Sequence, residues 1–183
     1  YRATNVPLRS DAVLDFLELG VVDAVHFACH GRMLVADPNA SQLIMEDTPN
    51  DVTPPLVARA EVVRGLGSLH PLVFLNACEV GGSAASLSLV AGFPGAFLYA
   101  GASAFISPLW VVNDERAFSI ARDLYAALFV AGQRTPIGTL MRELRRRWTT
   151  EKHLTYLAYV LYGDPLAWID YTPAVSPPVP ATT

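Results

Sequence analysis

The chain has 183 residues, 52% of them hydrophobic and only 16% charged, with a formal net charge of −4. That length suits one sizeable α/β domain with a substantial buried core and is short for two. The acidic balance, without a long run of like charge, argues against direct nucleic-acid binding, which would call for a basic face. Apolar stretches such as Ala96 to Pro108 are broken by Gly, Ser and Pro and are too short to span a bilayer.

The opening YRATNVPLRS has neither a charged leader nor an apolar run, so it does not read as a secretory signal. It also lacks an initiator Met, which suggests a fragment or a processed chain. Ser10 or Asp11 can cap a helix that carries Val13, Leu14, Phe16 and Leu17 and stops at Gly20. Val21 to Cys29 is a short apolar run rich in β-formers, expected to be a buried parallel strand running into a loop at His30-Gly31. Residues 32 to 58 are loop-like, with Pro38, Pro49, Pro54 and Pro55, and a short strand is expected near Gln42 to Met45. Ala60 to Gly65 predicts a brief helix. Leu72 to Cys78 repeats the earlier pattern and ends at Glu79-Val80-Gly81-Gly82.

Ser83 to Ala100 predicts a helix interrupted near Gly92 and Pro94. Ala104 to Val112 predicts a third strand, with a break or bulge at Pro108. Asn113 or Asp114 then caps a helix bearing Ala117, Ile120, Ala121, Leu124 and Leu128 on one face. A further helix starts near Pro136, with Ile137, Leu140, Met141, Leu144 and Trp148 at helical spacing. Its arginines, Arg142, Arg145, Arg146 and Arg147, are expected to form a solvated face. Leu154 to Leu161 predicts a last apolar helix before Tyr162-Gly163-Asp164-Pro165. Residues 173–183 form a Pro-rich, polar tail. Strands alternating with helices imply a mostly parallel sheet with helices on both faces.

Chemistry is expected at the carboxyl ends of the strands, where open α/β sheets bind ligands. His30 and Cys78 both end such strands. If the strands are neighbours, the imidazole can take the thiol proton and leave the nucleophilic thiolate. Gly31 follows His30, and glycines downstream of Cys78 likewise leave room for a carbonyl beside the backbone. The Gly31 and Cys78 N–H groups are then candidates for an oxyanion site. Taken singly and from spacing alone, a His and a Cys in an apolar sheet are more often packed core residues than catalysts.

The segment AVHFACHG, followed about 48 residues later by LNACEVGG, resembles the His and Cys motifs of CHAT domains, relatives of caspases and separases. The spacing is close to the caspase interval of about 50 residues, although the caspase pentapeptide is absent. LYAGASAFISPLWVVND is similar to the CHAT stretch "aGA…v…slW.v.D", and HLTYLAYVLYGDP to its closing "H…yWAaF…GDP". The resemblance spans roughly residues 21 to 165. It implies a caspase-like three-layer sandwich over residues 1–172, lacking its N-terminal part because only about 20 residues precede the His strand. It further implies a cysteine endopeptidase with His30 as general base and Cys78 as nucleophile, acting on a protein or peptide substrate. A regulatory partner or adjoining helical-repeat domain is implied as well. The alternative is an inactive CHAT-like interaction module. A serine hydrolase is disfavoured because no Gly-x-Ser-x-Gly elbow is present.

Around the pair, His26 is expected to be buried in mid-strand, and Cys29 to pack against a helix, since neighbouring strand residues face opposite ways. Asn76, Glu79, Trp110 and Asp114 are substrate-pocket candidates. Asn76 lies two residues before Cys78 and so on the same side of the strand. Asp114 could equally be a helix cap and Trp110 a core residue. Glu79 or Asp114 could serve a basic substrate residue. No metal-ligand spacing and no phosphate-binding glycine loop appear, so neither a metal nor a cofactor is expected. Two cysteines cannot staple a small secreted domain, and the chain is expected to be soluble and cytoplasmic.

Overall fold

A computed structural model of the protein describes residues 3–32, 34, 36–46, 51–77, 92–149 and 154–171. The chain starts with helix α1 (Ser10–Leu19), which Gly20 terminates in the left-handed conformation at φ 57°. Strand β1 (Ala24–Phe27) follows, then a small antiparallel pair, β2 (Gly31–Arg32) with β3 (Gln42–Leu43). Two short helices, α2 (Pro54–Val57) and α3 (Ala60–Leu66), lead into β4 (Leu72–Leu75). Then come α4 (Phe93–Tyr99), β5 (Ala104–Pro108), α5 (Asp114–Leu128), α6 (Ile137–Trp148) and β6 (Tyr159–Gly163).

The main sheet has the order β1-β4-β5-β6, with β1, β4 and β5 parallel and β6 antiparallel to β5. All four positions of β4 are buried, as a central strand covered on both faces requires. Its alternating side chains divide the core in two. Val73 and Leu75 pack with Val25, Phe27 and Phe105 under α1, α3 and α4. Leu72 and Phe74 pack with Ala104 and Ile106 against Ile120 and Leu124 of α5 and Ile137, Leu140 and Leu144 of α6. The result is the expected three-layer α/β arrangement, a mostly parallel open sheet between two helical layers.

Several local expectations are corrected. The predicted helix at Leu154 to Leu161 is a single 3-10 turn, Leu154–Leu157, followed by β6, whose Phe105↔Tyr162 and Ser107↔Val160 pairs run along β5. Periodicity cannot separate a short buried helix from a strand, and the aromatic and β-branched run Tyr-Val-Leu-Tyr suits the sheet. The third strand ends at Pro108, short of Val112. Pro94 sits in the first turn of α4, where its missing N–H costs nothing. The cap of α5 is Asn113, whose side chain accepts from the N–H groups of Glu115 and Arg116. The Pro-rich tail, and Ser83 to Ala91 of the expected helix, lie outside the described residues.

Candidate active site at the carboxyl ends of the strands

β1 and β4 are adjacent and parallel, pairing Ala24 with Leu72 and Phe27 with Leu75, a constant offset of 48 residues. The same interval separates His30 from Cys78. The chain leaving β4 stays tied to β1: the Asn76 N–H donates to the Phe27 carbonyl at 2.8 Å. Cys78 and Glu79 lie outside the described residues, which reach Ala77 on this side.

His30 is exposed, immediately beyond β1, and its carbonyl accepts the Ile44 N–H at 2.8 Å. That bond flanks the Gly31↔Leu43 pair, and Leu43 spends its own N–H and carbonyl on Val52. The pair is therefore of the non-hydrogen-bonded kind, and the Gly31 N–H is turned away from β3. Gly31 is also where the two strand ends touch. A Cβ placed there would lie 3.1 Å from the Cβ of Ala77. A glycine at this position lets the loop after β1 lie directly on the residue that precedes Cys78.

Asn76 is partly buried, and its Oδ1 accepts from the hydroxyl of Tyr159 at 2.7 Å. Tyr159 is a residue that sequence reasoning passed over as part of a helix; no local signal links two positions 83 apart in the chain. Trp110 is 42% exposed just past β5, so it is not a core residue, and Val111 beside it is 56% exposed. Asp114 is exposed in the first turn of α5, where a carboxylate suits the positive end of the helix dipole.

His26, expected to be buried, is exposed, because β1 is the outer strand of the sheet. Its ring nevertheless stacks on Phe74 at 4.9 Å and lies 5.5 Å from Tyr125, and this partial cover lowers its pKa below that of a free imidazole. Cys29 packs against the core on the α1 side, as expected, and carries a free thiol. Burial pushes that thiol up to about 11. On the order of one Cys29 in ten thousand is then ionised at pH 7, which makes it a poor nucleophile. Iodoacetamide should alkylate Cys29 in folded protein at a rate that climbs steadily from pH 7 to 10. A rate that levels off near pH 8 would mean that the thiol is not shielded. The sign for stability follows: above the ordinary thiol value of 9.0 the unfolded chain sheds this proton first. Ionisation of Cys29 therefore erodes stability between about pH 9 and 11.

A groove of about 730 Å³ runs along the outer edge of β1, lined by Val6, Leu17, Val25, Tyr125 and Ile169 among others. His26 and Cys29 border it, whereas His30, Asn76 and Trp110 stand at the carboxyl-end rim instead. Among the described residues, no three His, Cys, Asp or Glu side chains cluster to hold a metal ion, and no helix is long and apolar enough to cross a membrane.

An open, mostly parallel sheet between helical layers, with a histidine and a close-packed glycine at its carboxyl rim, defines a caspase-like α/β domain. The family model for the CHAT domain matches residues 2–175, and the chain belongs to that family. CHAT domains are a caspase-like, peptidase-related family, some of whose members are inactive. Comparison with curated proteins gives no match.

Proposed function

We propose that the chain is a cysteine endopeptidase in which His30 and Cys78 act as base and nucleophile on a protein or peptide substrate. The observation that carries this reading is the close approach of Gly31 to Ala77, which brings the two motif-bearing strand ends into contact. The shared 48-residue interval of the β1–β4 ladder and of the two residues supports it further.

The chemistry is acyl transfer. His30 takes the Cys78 thiol proton, and the thiolate attacks the scissile carbonyl. The oxyanion so formed would be held by the N–H groups of Gly31 and Cys78. The C–N bond then breaks, and the leaving amine receives the proton from His30. Water, giving its proton to the same imidazole, attacks the thioester carbonyl, releases the carboxylate product and restores the thiol. Asn76, Trp110 and Asp114, with Glu79, would flank the substrate side chains. In this reading a partner or an adjoining helical-repeat domain controls the activity in a longer protein.

A peptidyl acyloxymethyl ketone tests the proposal. It should add to Cys78 of the wild type, located by peptide mass mapping, and not to Cys78→Ala. Addition that persists in Cys78→Ala and vanishes in Cys29→Ala would defeat the assignment. A wild type that stays inert even with its adjoining domains present would make the chain an interaction module.

A further inference from the structure

β1 is the outer strand of the main sheet, and its far edge pairs with no strand among the described residues. Which backbone groups lie on that edge follows from the ladder. The Leu72 N–H donates to the Asp23 carbonyl and the Asn76 N–H to that of Phe27, so Asp23 and Phe27 face β4, as does Val25 between them. Alternate residues of a parallel pair point to the neighbour. Ala24 and His26 therefore turn their N–H and carbonyl groups outward, and none of the described residues bonds to these groups. An unpaired row of this kind is a template for a further strand.

That edge is the floor of the 730 Å³ groove, and its walls come from both helical layers. Val6 and Leu17 line it on the α1 side, Tyr125 and Phe129 on the α5 side. The layers thus reach past the sheet here, so a strand laid on β1 would run between them. Its side chains, alternating in direction, would meet apolar surface on both faces, which calls for a continuous apolar run. From Ala24 to Ala28 the edge spans roughly 13 Å, the reach of four or five extended residues. No Lys or Arg lines the groove, and the exposed Asp23 carboxylate at the start of β1 has no ion pair among the described residues.

Two occupants close at hand fit poorly. Residues 172–183 carry Pro173, Pro177, Pro178 and Pro180, and proline cannot donate to a ladder. A second copy would have to offer its own β1, which lies between the same walls, so the two sets of walls would collide. We propose that this edge docks an extended segment of a partner protein, four or five residues rich in Val and Ile beside a Lys or Arg that reaches Asp23. The segment adds a strand to β1, its main chain pairing with Ala24 and His26 and its side chains filling the groove on either side. This surface is separate from the carboxyl-end rim and does not depend on the cysteine chemistry.

A blocked hexapeptide, with alternating Val and Ile between two Lys, tests this on the full chain by residue-resolved amide exchange. In the free chain the Ala24 and His26 amides should exchange faster than those of Val25 and Phe27. Peptide at ten times its Kd should slow the first pair about tenfold. N-methylation of the peptide at its second and fourth residues, or at its third and fifth, separates the two edges of the added strand. One pattern should abolish binding and the other leave Kd within about threefold. Exchanging both Lys for Glu should weaken binding about threefold or more. No binding, or equal tolerance of the two N-methyl patterns, overturns the proposal. So does protection of Ala24 and His26 without peptide: if it grows with protein concentration, the occupant is a second copy, and if it vanishes when the chain is cut after Tyr171, it is the tail.

Discussion

Replacing His30 with alanine is expected to slow peptide-probe acylation of Cys78 by about 10²–10⁴-fold, the usual worth of a general base. Stability should hardly change. The side chain is exposed, and the hydrogen bond this residue gives the fold, from Ile44, uses its carbonyl and not its imidazole. The pH profile should change shape as well as height. With the imidazole in place, reactivity at neutral pH draws on a thiol whose proton has a local acceptor. Without it, the rate should follow the thiol's own ionisation and keep rising toward about pH 8.5. His26→Ala supplies the control. That ring is four residues earlier, stacked on Phe74 and tilted against Tyr125, and its removal should leave the acylation rate within about threefold. A His30→Ala protein that labels as fast as wild type, or a large loss in His26→Ala instead, would move the base elsewhere.

The largest stability loss is expected at Gly65, buried in α3 where it crosses α1. A Cβ there would lie 2.3 Å from the Glu18 carbonyl oxygen and 2.5 Å from that of Leu17. One at Gly20 would lie 1.9 Å from the Gly65 oxygen, so the two helices meet backbone to backbone at this pair. Main chain cannot swing aside as a side chain does. Gly65→Ala must separate α1 from α3, and with them Leu17 and Leu66, which are buried in the same cluster. The cost is expected at about 3 kcal/mol or more, the upper end for overpacking. That shifts a urea midpoint by roughly 1–3 M. Gly132→Ala is the contrast: φ is +71°, yet no atom lies within 4 Å. Only the left-handed backbone is strained there, at about 1–2 kcal/mol. A Gly65→Ala midpoint within about 0.3 M of wild type would show that the helices separate freely.

Much of this arrangement could be read from the chain because the information was local. The twin apolar runs ending in His30-Gly31 and Cys78 mark strands, and their neighbourhood follows from the parallel ladder that forms. Helices α5 and α6 are announced by apolar residues at helical spacing, and all of those whose side chains are described are buried. What escaped is non-local. Tyr159 lies in a run that suits a helix or a strand equally, and pairing with β5 decides it. His26 has the composition of a buried strand around it, but burial of an outer strand depends on what lies beside it in space. The Asn76–Tyr159 bond and the contact of Gly31 with Ala77 join distant stretches, and residue spacing along the chain carries no mark of either.

The constant offset between β1 and β4 separates two kinds of distance. Contour length from His30 to Cys78 is set by the intervening loops and short helices, whereas spatial registration is set rung by rung in the ladder. Lengthening the exposed turn around Asp37 and Asn39 would add only slowly growing loop entropy. The rungs would keep their pairing. Sequences built on this plan are therefore free to drift in the interval between the two motifs, and a search that demands a fixed interval would miss them. Sliding β1 by a single residue, by contrast, would turn Phe27 out of the core and His26 into it, so the sheet tolerates insertions between its strands and none within them.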